Sequence, residues 1–228
     1  MAPKGKMWRT GIAVTLAVAT AVVLAFGTSS VAATGTPSTS TESSSRSAVA
    51  TKRAFHDGMR QLWIDHVTWT RLFIVSFVAD LPDLQATTDR LLQNQTDIGN
   101  AVKPFYSREA GNQLTALLEE HILTAADLLG AAKAGDTAAF EEAQDAWYAN
   151  AREIAKFLHD ANPGNWPLAD LRSMIKEHLD LTLLEAAHQL GGDYVASVAD
   201  YDLVEAEIIH MADTLSSGII EQFPNKFA

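Results

Sequence analysis

The sequence predicts an all-α protein, an up-down antiparallel bundle of about six helices, with three helical-hairpin repeats as its expected organisation. Three observations lead there. From about Ala48 onward the apolar residues recur at helical period, and no stretch alternates as a half-buried strand would. Strong breakers cut this region into six segments of helical length. The connections between them are short, which favours antiparallel packing of sequential helices.

The first helix is expected from about Ala48 to Ala79, ending near Pro82. The second covers Leu84 to Val102 and stops before Pro104. Ser107 is a good N-cap for the third, with Glu109 behind it, and Gly135 ends that helix. Asp136 caps the fourth, which reaches Asn162. The loop Asn162-Pro163-Gly164-Asn165-Trp166-Pro167 is the strongest breaker in the chain. The fifth helix runs from Leu168 to Leu190 and is stopped by Gly191-Gly192. The sixth runs from Asp193 to about Glu221, before Pro224. Trp166 should cap one end of the bundle, with Phe223 and Phe227 folding back onto it.

Residues 1–33 read as a secretory signal. Lys4, Lys6 and Arg9 form a basic start, Gly11 to Phe26 is an apolar run of 16 residues, and Ser30-Val31-Ala32-Ala33 offers small residues for cleavage. The run is shorter than the roughly 20 residues that span a bilayer comfortably. The only membrane association expected is therefore through an uncleaved signal anchor. Residues 34–47 are rich in Ser and Thr and lack apolar periodicity, so a flexible tether is expected there. Residues 48–228 form the helical domain. The expected location is secreted or otherwise extracytoplasmic.

Composition removes several functions. The chain has no cysteine, which excludes disulfides, thiolate metal sites and cysteine nucleophiles. Its formal charge is −11; without the three basic residues of the signal, 14 basic residues face 28 acidic ones, a net of −14. Nucleic acid, whose binding rests on neutralising phosphates, is a poor partner for such a chain. Cations are a good one. No Gly-x-Ser-x-Gly, Walker-type or Gly-x-Gly-x-x-Gly motif is present.

The chemistry-bearing pattern is threefold. Asp65-His66-Val67, Glu120-His121-Ile122 and Glu177-His178-Leu179 each set an acid, a histidine and an aliphatic residue in a helix. Each histidine precedes its turn residue (Asp80, Gly135, Gly192) by 14 positions. On the returning helices Asn94 follows its turn by 14, and Asn150 and Glu207 follow theirs by 15. At ~1.5 Å per residue both arms climb about 21–22 Å, so each histidine should stand level with the polar residue on its partner helix. The same spacing predicts that residues three further on (Asp97, Glu153, His210) lie on that face, one turn along. The histidines share apolar stripes and should point inward, whereas Asp65, Glu120 and Glu177 lie nearer the edge.

Imidazole and carboxylate without thiolate suit Zn, Fe, Mn, Cu or Ni. The expected site, mononuclear or weakly dinuclear, is built from His66, His121, His178, Glu207, His210 and Glu153, with Asn94, Asp97 and Asn150 completing a polar layer. Glu207 and His210 have the i, i+3 spacing of di-iron bundles. Glu185 and His188 share that spacing but lie about 12 Å nearer the turn, which argues against pairing them with Glu207 and His210. The rival expectation is an envelope structural or interaction protein whose histidine/carboxylate layer only fixes helix packing. No reaction follows from these residues. His56 and His159 are expected near helix ends, in solvent.

Five phrases together carry a resemblance: residues 62–71 (LWIDHVTWTR), 94–101 (NQTDIGNA), 147–150 (WYAN), 177–182 (EHLDLT) and the tail Gln222-Phe223-Pro224. Over about residues 55–228 the chain resembles a group of small, exported, all-helical bacterial proteins with no established activity. The resemblance implies a helical fold and export, and no chemistry.

Overall fold

The computed structural model describes residues 39–228; the signal segment expected at 1–33 lies outside them. Six α-helices follow one another: α1 (Thr39–Val78), α2 (Leu84–Val102), α3 (Arg108–Ala134), α4 (Thr137–Ala161), α5 (Leu168–Gly191) and α6 (Tyr194–Gln222), with a short 3-10 turn at Pro224–Lys226. No strand occurs among the described residues. Each helix packs on its neighbours in sequence, and α6 packs back on α1, so the six close into a ring around one axis.

The ends of the helices are fixed by local chemistry. Ser107, Asp136 and Asp193 each accept a hydrogen bond from the backbone N–H three residues on, at 3.0–3.1 Å. Gly135 and Gly192 close α3 and α5 in the left-handed conformation, at φ 69° and 76°. Asp80 takes the same conformation, φ 51°, after α1. The three hairpins thus turn alike, although only two of them use glycine.

The one boundary that moves is the first. α1 begins at Thr39, within the stretch 34–47 expected to be a tether. Most of the residues from 46 to 54 are exposed, so this turn-by-turn extension adds length rather than core. Once the packed part of a helix is nucleated, further residues join at little cost, even Ser and Thr.

The end opposite the hairpin turns carries an aromatic plug. Phe55, Phe105 and Phe227 meet at centroid distances of 5.0–5.5 Å, and Phe223 and Tyr106 extend the group. Trp166 is buried there at 2 % exposure, and its Nε1–H donates to Thr214 O at 3.3 Å. Asn162 reinforces the loop by donating to Gly218 O at 2.9 Å. A Cβ on Gly218 would stand 2.1 Å from Trp166 Nε1, so the plug depends on glycine at this position.

The apolar core has two parts. A large cluster runs from the plug to the middle of the bundle. A smaller one, including Phe73, Ile74, Leu91 and Leu129, lies near the hairpin turns.

Candidate metal site and the adjoining chamber

His66, His121 and His178 come from α1, α3 and α5, the first helices of the three hairpins, and meet in the middle of the core. Their ring centroids are 6.5, 5.7 and 6.3 Å apart (66–121, 66–178 and 121–178). All three are buried, at 2 %, 5 % and 6 % exposure. They share the lining of a cavity of about 20 Å³ with apolar residues including Leu118, Ile154 and Met211. That is room for one water-sized particle.

In the second hairpin the returning helix orients the ring. Asn150 Nδ2 donates to Leu117 O at 3.1 Å, which fixes the amide so that its Oδ1 faces His121 Nδ1 at 3.2 Å. The proton must then sit on Nδ1, leaving the Nε2 lone pair free. Asn94 repeats the first bond by donating to Leu62 O at 3.0 Å. In both hairpins the accepting carbonyl lies four residues before the histidine. In the third, Glu207 replaces the asparagine, and its Oε2 lies 3.3 Å from His178 Nδ1 but off the line of a hydrogen bond. Glu207 is 8 % exposed and neither of its oxygens has a hydrogen-bond donor.

His66 is served differently. Its Nδ1 is buried without a hydrogen bond, and so is Oε1 of Gln95. Gln95 interacts with the ring and raises its pKa, against the larger effect of burial. Its Nε2 donates to Leu91 O at 2.8 Å, leaving Oε1 as the natural acceptor for His66 Nδ1–H. Gln95 was not foreseen. It stands next to Asn94 on the same inward stripe, and that position was the available signal.

Burial makes these rings poor bases. His121 is pushed down to about 3, mainly by burial and then by the neighbouring His178, while Asn150 works in the opposite direction. His66 falls well below its ordinary value through burial and then through His178 and His121. Two of the three rings are thus neutral throughout the physiological range, the state in which imidazole binds metal.

Three expected members do not belong. Glu153 and His210 are exposed. Asp97 is half-exposed, accepts from Gln93 Nε2 at 3.0 Å and lies 4.0 Å from Arg90. The reason is angular. The inward stripe of each returning helix passes through the polar residue, the next one and the one four on: Asn94/Gln95/Ile98, Asn150/Ala151/Ile154 and Glu207/Ile208/Met211. A residue three on lies about 60° to the other side and leaves the core. His56 and His159 are also placed differently from expectation. Both are half-buried and bonded, His56 to Ser216 Oγ at 2.7 Å and His159 to Trp166 O at 2.8 Å.

Among the described residues no group of three or more His, Asp or Glu stands at ligand spacing around one point. The shortfall at the three rings is small. Imidazoles sharing an ion through Nε2 at ~2.0–2.1 Å have centroids roughly 5–5.5 Å apart. The observed 5.7–6.5 Å would have to contract by up to about 1 Å.

Glu185 belongs to a second buried network toward the turns, where it fastens α1 to α5 and α6. It accepts from Arg71 Nη1 at 2.6 Å, and the same nitrogen donates to Ser197 O at 3.1 Å. Burial raises Glu185 to about 6, with Arg71 opposing the shift. His188 meets Asp200 at 2.5 Å.

A larger chamber of about 320 Å³ lies on the turn side of the histidines, between the two core clusters. Its upper wall includes Thr70, Ala125 and Thr182, each four residues after a layer histidine, and Trp147, which stacks on His121 at 5.4 Å.

Compared with protein-family models, curated proteins and solved structures, the chain gives no match.

Proposed function

We propose that the chain is an exported helical-bundle protein that binds one transition-metal ion between His66, His121 and His178. The observation that carries this reading is the state of the rings. Three imidazoles surround a cavity sized for one small particle, and no hydrogen bond from a described residue occupies an Nε2 atom. Asn150 and Glu207 stand beside the Nδ1 atoms of His121 and His178, and Gln95 interacts with the His66 ring, as outer acceptors do behind metal-bound histidines. The unbonded carboxylate of Glu207 supports the same reading, because a nearby cation offsets the cost of burying it.

A neutral, nitrogen-only first sphere favours Zn or Cu over Mn and Fe, which bind better to oxygen-rich sites. Glu207 then serves as the charge partner behind His178 rather than as a direct ligand. Export rests on the signal-like segment 1–33, and the acidic mature chain suits collection of cations outside the cytoplasm. No helix among the described residues is long and apolar enough to cross a membrane. The corresponding geometry of the three hairpins supports an internal repeat, with one histidine supplied by each copy. The resemblance to small exported bacterial helical proteins agrees with location and fold.

Elemental analysis of protein purified without a His-tag tests the proposal. About one equivalent of Zn or Cu, lost in the His178→Leu variant, is the expected result. No metal in the wild type and no thermal shift with Zn, Cu, Ni, Fe or Mn would refute it.

One observation favours a second reading. His121 already has an acceptor in Asn150, and the three rings stand wider than ligand spacing, as a layer that only sets helix register would. In that case His121→Leu and His178→Leu fold normally and lose no ligand.

A further inference from the structure

We infer that the 320 Å³ chamber takes up an uncharged hydrocarbon of about ten carbon atoms that bears no polar group. The inference does not depend on metal at the histidines.

The wall decides the chemistry. Phe73, Ile74, Leu91, Ile122, Leu128 and Leu129 are buried around the space, no charged residue lines it, and scarcely any polar atom opens onto it. The polar side chains of the wall offer a ligand nothing. Thr70 and Thr182 direct their hydroxyls to the backbone of their own helices, donating to His66 O and His178 O, each at 2.8 Å. Trp147 Nε1 is enclosed by protein atoms, beyond the reach of even a water-sized molecule. A hydroxyl, carbonyl or charge on an entering molecule would leave water for a place without a partner, which disfavours it.

The volume decides the size. It is about twice that of the ~150 Å³ apolar cavity that stays dry and takes up benzene, so a molecule of two fused rings fits. Protein interiors are close-packed, and voids larger than a water molecule are few in any domain. Water gains no hydrogen bonds from such a wall. An apolar solute, for which leaving water is itself favourable, is the occupant that suits the space.

The chamber also has a way in. Ala187 is exposed and Ala132, Phe140 and Leu190 are half-buried, so its rim lies where the turn ends of α3, α4 and α5 meet solvent. Of the consecutive helices, α4 and α5 are the least closely packed on one another.

Binding of naphthalene, benzene and 2-naphthol to the metal-free protein tests this, with thermal shift and isothermal titration calorimetry as readouts. Naphthalene should bind. Benzene, which fills half the space, should bind about tenfold more weakly. 2-Naphthol, whose hydroxyl finds no partner inside, should also bind about tenfold more weakly than naphthalene. Ala186→Phe, which puts a ring into the chamber, should weaken naphthalene at least about tenfold. Should Ala186→Phe fail to fold, Ala125→Phe provides the same test. Absence of naphthalene binding, binding of benzene or 2-naphthol as tight as that of naphthalene, or undiminished binding in the filled variant would overturn the inference.

Discussion

Asn150 holds His121 in a single tautomer: its Nδ2 donates to Leu117 O at 3.1 Å, which turns Oδ1 to His121 Nδ1 at 3.2 Å. One amide thereby satisfies a helix carbonyl and places an imidazole lone pair on Nε2. Replacing Asn150 with Leu keeps the volume and removes both bonds, leaving Nδ1–H buried without an acceptor. The expected loss is about 1–3 kcal/mol in urea unfolding. A change within ~0.5 kcal/mol, the range of ordinary surface substitutions, would show that the tautomer is not held this way.

Acid should unfold the metal-free protein early. His66 and His121 have folded pKa values below those of the unfolded chain, His121 at about 3. Below the unfolded value near 6.5 the unfolded state binds protons that the folded state refuses, so stability falls as pH falls. Each group contributes about 1.4 kcal/mol per pH unit over that window. From pH 6.5 to 5 His121 should cost on the order of 2 kcal/mol, and His66 acts in the same direction. Glu185, raised to about 6, acts in the opposite direction and gives back part of it on acidification. Urea unfolding between pH 7.5 and 5 measures the slope, and His121→Phe should reduce it. A flat profile would mean that these rings are not buried as neutral groups.

The first hairpin turn leaves room for stabilisation. Asp80 has φ 51° where the other two turns have glycine. Asp80→Gly relieves the strain of a side chain in left-handed backbone and should stabilise by about 0.5–1 kcal/mol. The lost pair with Lys133 (2.6 Å) is solvent-exposed on the Asp80 side and subtracts little. Thermal denaturation gives the answer, and a lower melting temperature would contradict the turn equivalence.

At the opposite end, Gly218→Ala drives a methyl group to 2.1 Å from Trp166 Nε1. Trp166 has to leave its bond to Thr214 O, and overpacking of this kind costs about 1–3 kcal/mol. Near-ultraviolet circular dichroism should lose part of its tryptophan signal together with the stability. An unchanged spectrum would show that the plug tolerates a side chain there.

The fold was legible because its punctuation is local. Ser107, Asp136, Gly135, Gly192 and the Asn162–Pro167 loop act on their own neighbours in sequence. The meeting of His66, His121 and His178 was legible for a related reason: equal distance from a turn becomes equal height in an antiparallel pair. Glu153 and His210 were misplaced because height alone does not set the direction of a side chain. That direction depends on which flank of the returning helix faces the axis, and packing against the other hairpins decides it. The chamber had no sequence signal. Its walls are ordinary core residues, and an unfilled space appears only when all six helices are assembled.

The proposed metal site requires three imidazoles from three hairpins to close on one ion. X-ray absorption spectroscopy of the Zn- or Cu-loaded protein tests it most directly. A first shell containing three nitrogens at ~2.0–2.1 Å with the outer-shell scattering of imidazole is expected, and His121→Leu should no longer hold the ion. A shell made of oxygen alone, or a spectrum that His121→Leu leaves unchanged, would contradict it.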